Sequence, residues 1–415
     1  MRRLLLVAPA TSYRVAAFAA AAQRLGVGIA VGTDVPAAHA AHGVPVFRVE
    51  LGDPLRGAED CLQACSDGYL GALGTDEASA LVAAHVAMRL GLSANDPEGV
   101  LAARDKRRMR ARLDAAGVAQ PTARVLEPGA DVAAFAAATR YPCVVKAPML
   151  TGSQGVIRAD DAAALAAAVA RVRRILDRHS SPWRDDPDFR RLLVEDYAGG
   201  PEIAVEALLD AGRLIPLAVF DKPDELAGPF FEETLYVTPS RHDPALIGRA
   251  CAVAEHAARA LGLVSGPIHA ELRLSEGGPR LIEVAARSIG GLCSRTLELA
   301  AHNLEELLIR NIARIAAPPA DPAVPRRAAG VMMIPIPKNG VLRGTFGVEA
   351  ARAVPNVSGV EITTRPGEAL RKLPEGASYL GFIFARAEVP AEVEAALRAA
   401  HRELRFDLAP LLELG

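Results

Sequence analysis

Residues 267–285 constrain the fold more than any other stretch. Two alternating apolar–polar segments flank Ser275-Glu276-Gly277-Gly278-Pro279, a pattern that reads as a β-hairpin. With the turn centred on Gly277, Glu271 and Glu283 fall opposite each other on neighbouring strands, side chains roughly 5 Å apart. Like charges so placed destabilise a hairpin unless something neutralises them. A divalent cation does so, and carboxylate oxygen suits Mg²⁺. Metal ligands at Glu271 and Glu283 are one reading. Two solvated surface glutamates, or a register shifted by one residue, are the other.

Two further segments carry chemical information. Cys143-Val144-Val145-Lys146 is an apolar run ending in lysine, and Thr151-Gly152-Ser153-Gln154-Gly155 follows as a loop of small residues. An ammonium inside an apolar strand is costly unless an anion meets it. Glycines let backbone N–H groups approach phosphate oxygens. Lys146 with Ser153, Gln154 and Gly155 therefore predicts a phosphate cradle, and a snorkelling lysine beside an ordinary turn is the alternative. At 192–206 an apolar strand leads through Glu195-Asp196-Tyr197-Ala198 to a Gly199-Gly200-Pro201 turn and a second strand opening on Glu202. On its own this is an acidic turn.

Composition narrows the classes. The 415 residues carry 47 basic and 49 acidic side chains, a net charge of −2, and 51% are apolar. These values exclude a disordered chain and a strongly basic nucleic-acid binder. Apolar runs are short and interrupted, so no membrane span is expected. Met1-Arg2-Arg3-Leu4-Leu5-Leu6 predicts an N-terminal strand rather than a signal peptide. Five scattered cysteines, at 61, 65, 143, 251 and 293, predict reduced thiols in a cytoplasmic protein and no zinc site. Among the basic residues only Lys106, Lys146, Lys222, Lys338 and Lys372 are lysine. Drift towards arginine in a GC-rich genome accounts for the imbalance and makes each surviving lysine informative.

Residues 1–95 alternate strand and helix. Strands are expected at 3–8, 28–31, 44–49 and 68–73, with helices at 12–25, capped by Ser12, and at 77–90. That order implies a parallel sheet covered on both faces. No G-x-G-x-x-G or P-loop accompanies it. A second domain is expected over 96–317, with a lid subdomain near 122–196 and an exposed loop carrying Trp183. A stiff Pro/Ala linker at 316–325 leads to a third domain over 328–415. There, strands are expected near 329–335, 359–364 and 379–385, with a closing helix at 391–404. The fold class is α/β and α+β, multidomain.

The order and spacing of these motifs resemble the ATP-grasp superfamily over residues 95–315, with Asp105-Lys106-Arg107-Arg108 in its opening segment. The resemblance implies an ATP-grasp fold with an N-terminal Rossmann-like domain and a small C-terminal domain. It implies ATP and Mg²⁺, expected as two ions with Mn²⁺ as an acceptable substitute. Lys106 and Lys146 would contact ATP phosphates beneath a flap of Ser153, Gln154 and Gly155. Glu195, Tyr197 and Ala198 would hold adenine, and Glu202 the ribose. Lys222 would approach the γ phosphate, Glu271 and Glu283 would bind metal, and Arg287 would hold the transferred phosphate or a substrate carboxylate. Backbone N–H groups of Gly290 and Gly291, opening a helix over 292–301, would stabilise an oxyanion. Glu232 and Glu233 would line the substrate pocket. His269 is either a structural histidine or a substrate contact. Lys338 and Lys372 are expected on the surface.

Many ATP-grasp enzymes read Glu-x-Asn-x-Arg where this chain reads Glu283-Val284-Ala285-Ala286-Arg287, so Ala285 supplies no metal oxygen. That form, followed by Ser288-Ile289-Gly290-Gly291, resembles the L-amino acid ligase branch. His269-Ala270-Glu271 and the run Gly376-Ala377-Ser378-Tyr379-Leu380-Gly381 resemble it too. The branch implies an ATP-dependent carboxylate–amine ligase that forms an amide through an acylphosphate. Its partners would be small-molecule carboxylate and amine substrates, without nucleic acid or membrane, and a homodimer is compatible with it. Two other readings stay open. One is an ATP-grasp ligase or carboxylase using another carboxylate such as bicarbonate. The other is a nucleotide-binding module that lost catalysis together with the third metal ligand.

Overall fold

The structure, a computed structural model, describes residues 3–65, 68–180, 186–290, 292–297, 303–316 and 327–411. Trp183, Gly291, the end of the helix expected over 292–301 and nearly all of the Pro/Ala linker lie outside the described residues. The N-terminal alternation folds as expected into a four-stranded parallel sheet. Its order is Val46–Arg48, Ile29–Thr33, Arg3–Val7, Tyr69–Gly74. Leu4, Leu5, Leu6 and Val7 are all fully buried, because a parallel sheet carries helices on both faces. The first helix, Val15–Arg24, starts behind Arg14 with no side-chain cap, so Ser12 does not cap it. A helix at Pro54–Gln63 adds to the expected set. Asp53 caps it and Pro54 opens it, a start signal present in the sequence.

An eight-stranded antiparallel sheet forms the centre. Its order is Gly278–Ala285, Gly266–Ser275, Glu202–Asp210, Arg213–Lys222, Leu235–Thr238, Ala328–Ile334, Gly381–Ala387, Val357–Ile362. Helix Pro244–Leu261 packs Ala250, Ala254, Ala257 and Leu261 against one face, over Val205, Ile268 and Val284. The last three strands belong to the region expected as a separate domain. They extend the central sheet through Leu235–Thr238, which pairs with Ala328–Ile334 over four residues. Hydrogen bonding therefore runs across the expected boundary, and only Ala369–Leu370, Gly340–Phe346 and Arg405–Ala409 form a sheet apart.

The lid is a unit of its own. Strands Ala123–Leu126, Leu192–Asp196, Cys143–Lys146 and Val156–Ala159 form an antiparallel sheet covered by helix Ala162–Arg178. Its core of Leu126, Val145, Ile157, Leu165, Val172 and Leu192 is drawn from the lid itself. No helix among the described residues is long and apolar enough to cross a membrane. Lid, central sheet, N-terminal loop and C-terminal strands together surround one cavity of about 630 Å³.

Candidate active site

The hairpin brings Glu271 and Glu283 into direct register, by a route different from the expected one. The strands pair Ser275 with Gly278 and Leu272 with Leu281, so the turn is centred between Glu276 and Gly277 rather than on Gly277. A β-bulge at Ile282 then adds one residue and restores the glutamate pair. The carbonyl freed at the bulge accepts a hydrogen bond from Arg110 Nη2 at 2.7 Å. Glu271 and Glu283 both line the cavity.

Two of the expected phosphate lysines line the same cavity and are buried. Lys106 opens helix Lys106–Ala115, with Asp105 as its cap, and its Nζ reaches Glu283 Oε1 at 3.0 Å and the Leu150 carbonyl at 3.0 Å. Lys146 ends its lid strand 2.6 Å from Glu195 Oε2. The other oxygen of Glu195 accepts Arg110 Nε at 2.7 Å. Burial alone would raise the Glu195 carboxyl, but Arg110 and Lys146 override it and hold it down at about 2. Glu195 lines the cavity, with each carboxylate oxygen already accepting a cation. Tyr197 and Ala198 do line the cavity.

Lys222 departs furthest from expectation. It is not among the residues lining the cavity. Its ammonium lies 2.6 Å from Glu202, 2.8 Å from Glu233 and 2.8 Å from Glu271. Those three carboxylates are the one group of three or more potential metal-ligating side chains found among the described residues, and the Lys222 ammonium bonds all three. Burial opposes the charge on Lys222, but the carboxylates outweigh burial and raise its pKa well above the ordinary lysine value. Glu202 lines the cavity with each oxygen already accepting a cation, Lys222 on one and Arg273 Nε at 2.7 Å on the other. Each oxygen keeps a second lone pair for a hydroxyl. Glu271 belongs to that triad through Oε1 and Glu283 accepts Lys106 on its own Oε1, so the second oxygens of this facing pair would be the donors for Mg²⁺, and carboxylate chemistry fits that ion.

His269 is bound on both ring nitrogens, Nδ1 to Glu206 at 2.6 Å and Nε2 to Glu271 at 3.1 Å. Burial would lower its pKa, yet the two carboxylates raise it to about 9, so it is a cation at neutral pH. Glu206 also accepts the Ile289 amide at 2.9 Å, which anchors the segment after Arg287. Arg287 lines the cavity and is gripped by Glu77 of the N-terminal domain, with Nε at 2.9 Å and Nη2 at 2.5 Å. Burial would raise Glu77, but the guanidinium takes it down to about 2.

The remaining candidates divide. Ser153, Glu233 and Gly290 line the cavity. Gln154 and Gly155 do not, because both are bonded to the segment before Gly376: Gln154 Nε2 donates to Glu375 O at 2.7 Å and Gly155 N to Pro374 O at 3.0 Å. Glu232 lies outside the main cavity in a small cleft with Arg371 and Lys372. The helix expected to open at 292 is a 3₁₀ turn, Cys293–Thr296, closed by the Thr296 hydroxyl on Cys293 O at 2.6 Å. So short a turn carries little of the dipole expected at Gly290.

Residues 139–296 match the model of the ATP-grasp domain, and residues 332–409 match L-amino acid ligase C-terminal domain 2. Residues 139–296 therefore form an ATP-grasp domain. Its fold is similar to the L-amino acid ligase of Bacillus licheniformis, with a TM-score of 0.79 and 25% identity, covering 99% of this chain and 100% of that one. N5-carboxyaminoimidazole ribonucleotide synthetase from Thermotoga maritima shares the fold at a TM-score of 0.71 and 15% identity, covering 99% and 100%. Among curated relatives, the uncharacterized protein y4rH of Sinorhizobium fredii is 27% identical over 79% of this chain and 66% of its own length. Carnosine synthase 1 of Gallus gallus is 30% identical over 52% of this chain, which spans 23% of that protein.

Several residues of this site escape motif reading. Tyr236 donates to Glu233 Oε2 at 2.7 Å, and Tyr13, Met333, Tyr379 and Phe382 line the cavity beside it. They come from the N-terminal domain and the C-terminal strands. The only signal in the sequence is a tyrosine within a short alternating strand, Leu235–Thr238.

Proposed function

We propose that this ATP-grasp protein is an ATP-dependent carboxylate–amine ligase, joining amino acids or amino-acid-like substrates through an acylphosphate. The observation that carries the reading is a single cavity lined by a facing pair of glutamates, two buried lysines and an arginine. A substrate carboxylate oxygen attacks the γ phosphorus of ATP and ADP leaves. An amine then attacks the acyl carbon, phosphate leaves, and the amine nitrogen gives up a proton. Lys106 and Lys146 neutralise phosphate charge, and Arg287, whose Nε and Nη2 are held by Glu77, meets the carboxylate with its remaining N–H groups. Glu271 and Glu283 would hold Mg²⁺, whose charge offsets that of the phosphates. The five unpaired cysteines support a cytoplasmic setting.

From charge balance we infer a role for Glu233. Before any Mg²⁺ is counted, the network contains four carboxylates, buried Glu202 and Glu206 and part-buried Glu233 and Glu271, against three cations, Lys222, Arg273 and His269. Burial and the neighbouring Glu271 push the surplus group, Glu233, up to about 7. A substrate ammonium supplies the missing positive charge; an ionised Glu233 takes the proton whose loss frees the lone pair for attack, and the second proton, lost as the amide forms, leaves with the phosphate. Amide formation is therefore expected to rise with pH through about 7. Glu233→Gln should remove that limb and lower the rate about 10²–10⁴-fold. Rate measurements from pH 5.5 to 8.5 check this, and a variant keeping the wild-type limb would assign the proton transfer elsewhere.

The reading as a whole is tested by incubating the protein with Mg-ATP and pooled amino acids, following ADP and searching for amide products by mass spectrometry. Matched ADP and amide are expected. Phosphate release only with a non-amino-acid carboxylate would retain the ligase and discard the dipeptide.

A further inference from the structure

The lid has its own sheet, covering helix and core, and where it meets the C-terminal region its described bonds are polar. The strongest group of these joins the flap to the loop before Tyr379. Gln154 Nε2 donates to the Glu375 carbonyl at 2.7 Å, and the Gly155 amide donates to the Pro374 carbonyl at 3.0 Å. Arg171, on the lid helix, grips the Glu375 carboxylate with Nε at 2.7 Å and Nη2 at 3.0 Å. A side chain at Gly152 would stand 3.4 Å from Ala377. Both partners are shaped for this meeting. Gly152, Ser153 and Gly155 have φ of 61°, 58° and 67°, and at Gly376 a Cβ would come within 1.9 Å of the Arg371 carbonyl. Thr151, Gly152 and Ser153 line the cavity from the lid, and Ala377, Ser378 and Tyr379 line it from the other side. One loop thus contributes cavity wall and bonds the flap.

We propose that the loop from Lys372 to Ala377 is a latch that keeps the lid closed over the nucleotide and the activated acyl group, with Glu375 as its positioning residue. Backbone acceptors at Pro374 and Glu375 set where the flap lands. The forked Arg171–Glu375 pair, about a third exposed, supplies a salt-sensitive part of the holding force. Its work is to keep water from the acylphosphate. With the latch open, water attacks the acyl carbon, phosphate leaves, and the free carboxylic acid returns, so ATP is spent without an amide. This consequence rests on the ligase reading, whereas nucleotide retention does not.

The test uses the full chain with Glu375→Gln, Gln154→Ala, and the charge-swapped pair Arg171→Glu with Glu375→Arg. Dissociation of mant-labelled ATP, measured by stopped flow without any acid or amine, is expected to quicken at least threefold in each single variant. Charge swapping should return it towards the wild-type rate. Raising ionic strength should quicken release more in the wild type than in Glu375→Gln, the difference being the share that the Arg171–Glu375 pair supplies. In turnover, ADP formed per amide should rise above the wild-type ratio in the single variants, while KM for the acid changes little. Unchanged dissociation in both single variants overturns the latch. If no amide forms under any condition, the ligase reading fails while the dissociation arm still decides the latch.

Discussion

Replacing Glu283 with alanine is expected to lower ADP formation ~10²–10³-fold, the range seen when one charge-stabilising contact is removed from a transition state. Glu283 stands opposite Glu271, and it is the carboxylate partner of Lys106 at 3.0 Å. Its loss leaves Lys106 bonded to the Leu150 carbonyl alone and halves the facing donor pair. Mg²⁺ dependence should weaken in parallel, read as a rise in the ion concentration for half-maximal activity. Nucleotide-binding and turnover measurements together separate the readings. A protein that binds ATP equally well with or without Glu283, and turns over neither way, is the nucleotide-binding module rather than the ligase.

Glu195→Ala is expected to act on stability as strongly as Glu283→Ala acts on rate. Glu195 is 2% exposed and holds two cations, Arg110 and Lys146. Removing the shared anion leaves both charges buried, which costs about 3–5 kcal/mol. Arg110 also bonds Gln120 and the carbonyls of Leu281 and Ile282, so the loss reaches the bulge that aligns the glutamate pair. The urea midpoint should fall with little change in the slope. The pH dependence has a definite sign. A carboxyl held at about 2 when folded, against an ordinary value near 4, stabilises the protein above its unfolded pKa. That contribution is lost as pH falls through this window, so the wild type should weaken in acid more steeply than the variant. An unchanged midpoint in Glu195→Ala would mean that the two cations find solvent without it.

What was legible in the sequence was whatever a local pattern can carry. Alternation of strand and helix sufficed for the parallel N-terminal sheet. The glutamate pair was legible because two alternating strands around a Gly-Gly turn leave few registers, although a misplaced turn centre and an unseen bulge cancelled. Pairings across long separations stayed hidden. Arg110 is 85 residues from Glu195, Lys222 is 49 from Glu271, and Gln154 is 221 from Glu375. Read locally, each of these polar groups is free to meet a ligand. In the fold each meets a protein partner, because a buried polar or charged group without one is too costly to keep. Lys222 illustrates the point, since its local setting suits a phosphate lysine equally well.

The central sheet has a consequence for dissecting the chain. Because Ala328–Ile334 pairs along Leu235–Thr238, the C-terminal region cannot be cut away as a module. Truncation near residue 316 would bare that strand's hydrogen-bonding edge, with the apolar Leu235, Tyr236 and Val237 beside it, a template for self-association. Any chimaera that exchanges C-terminal regions must also carry a partner strand matched to Leu235–Thr238, so in this protein the unit of exchange is a strand pair rather than a domain.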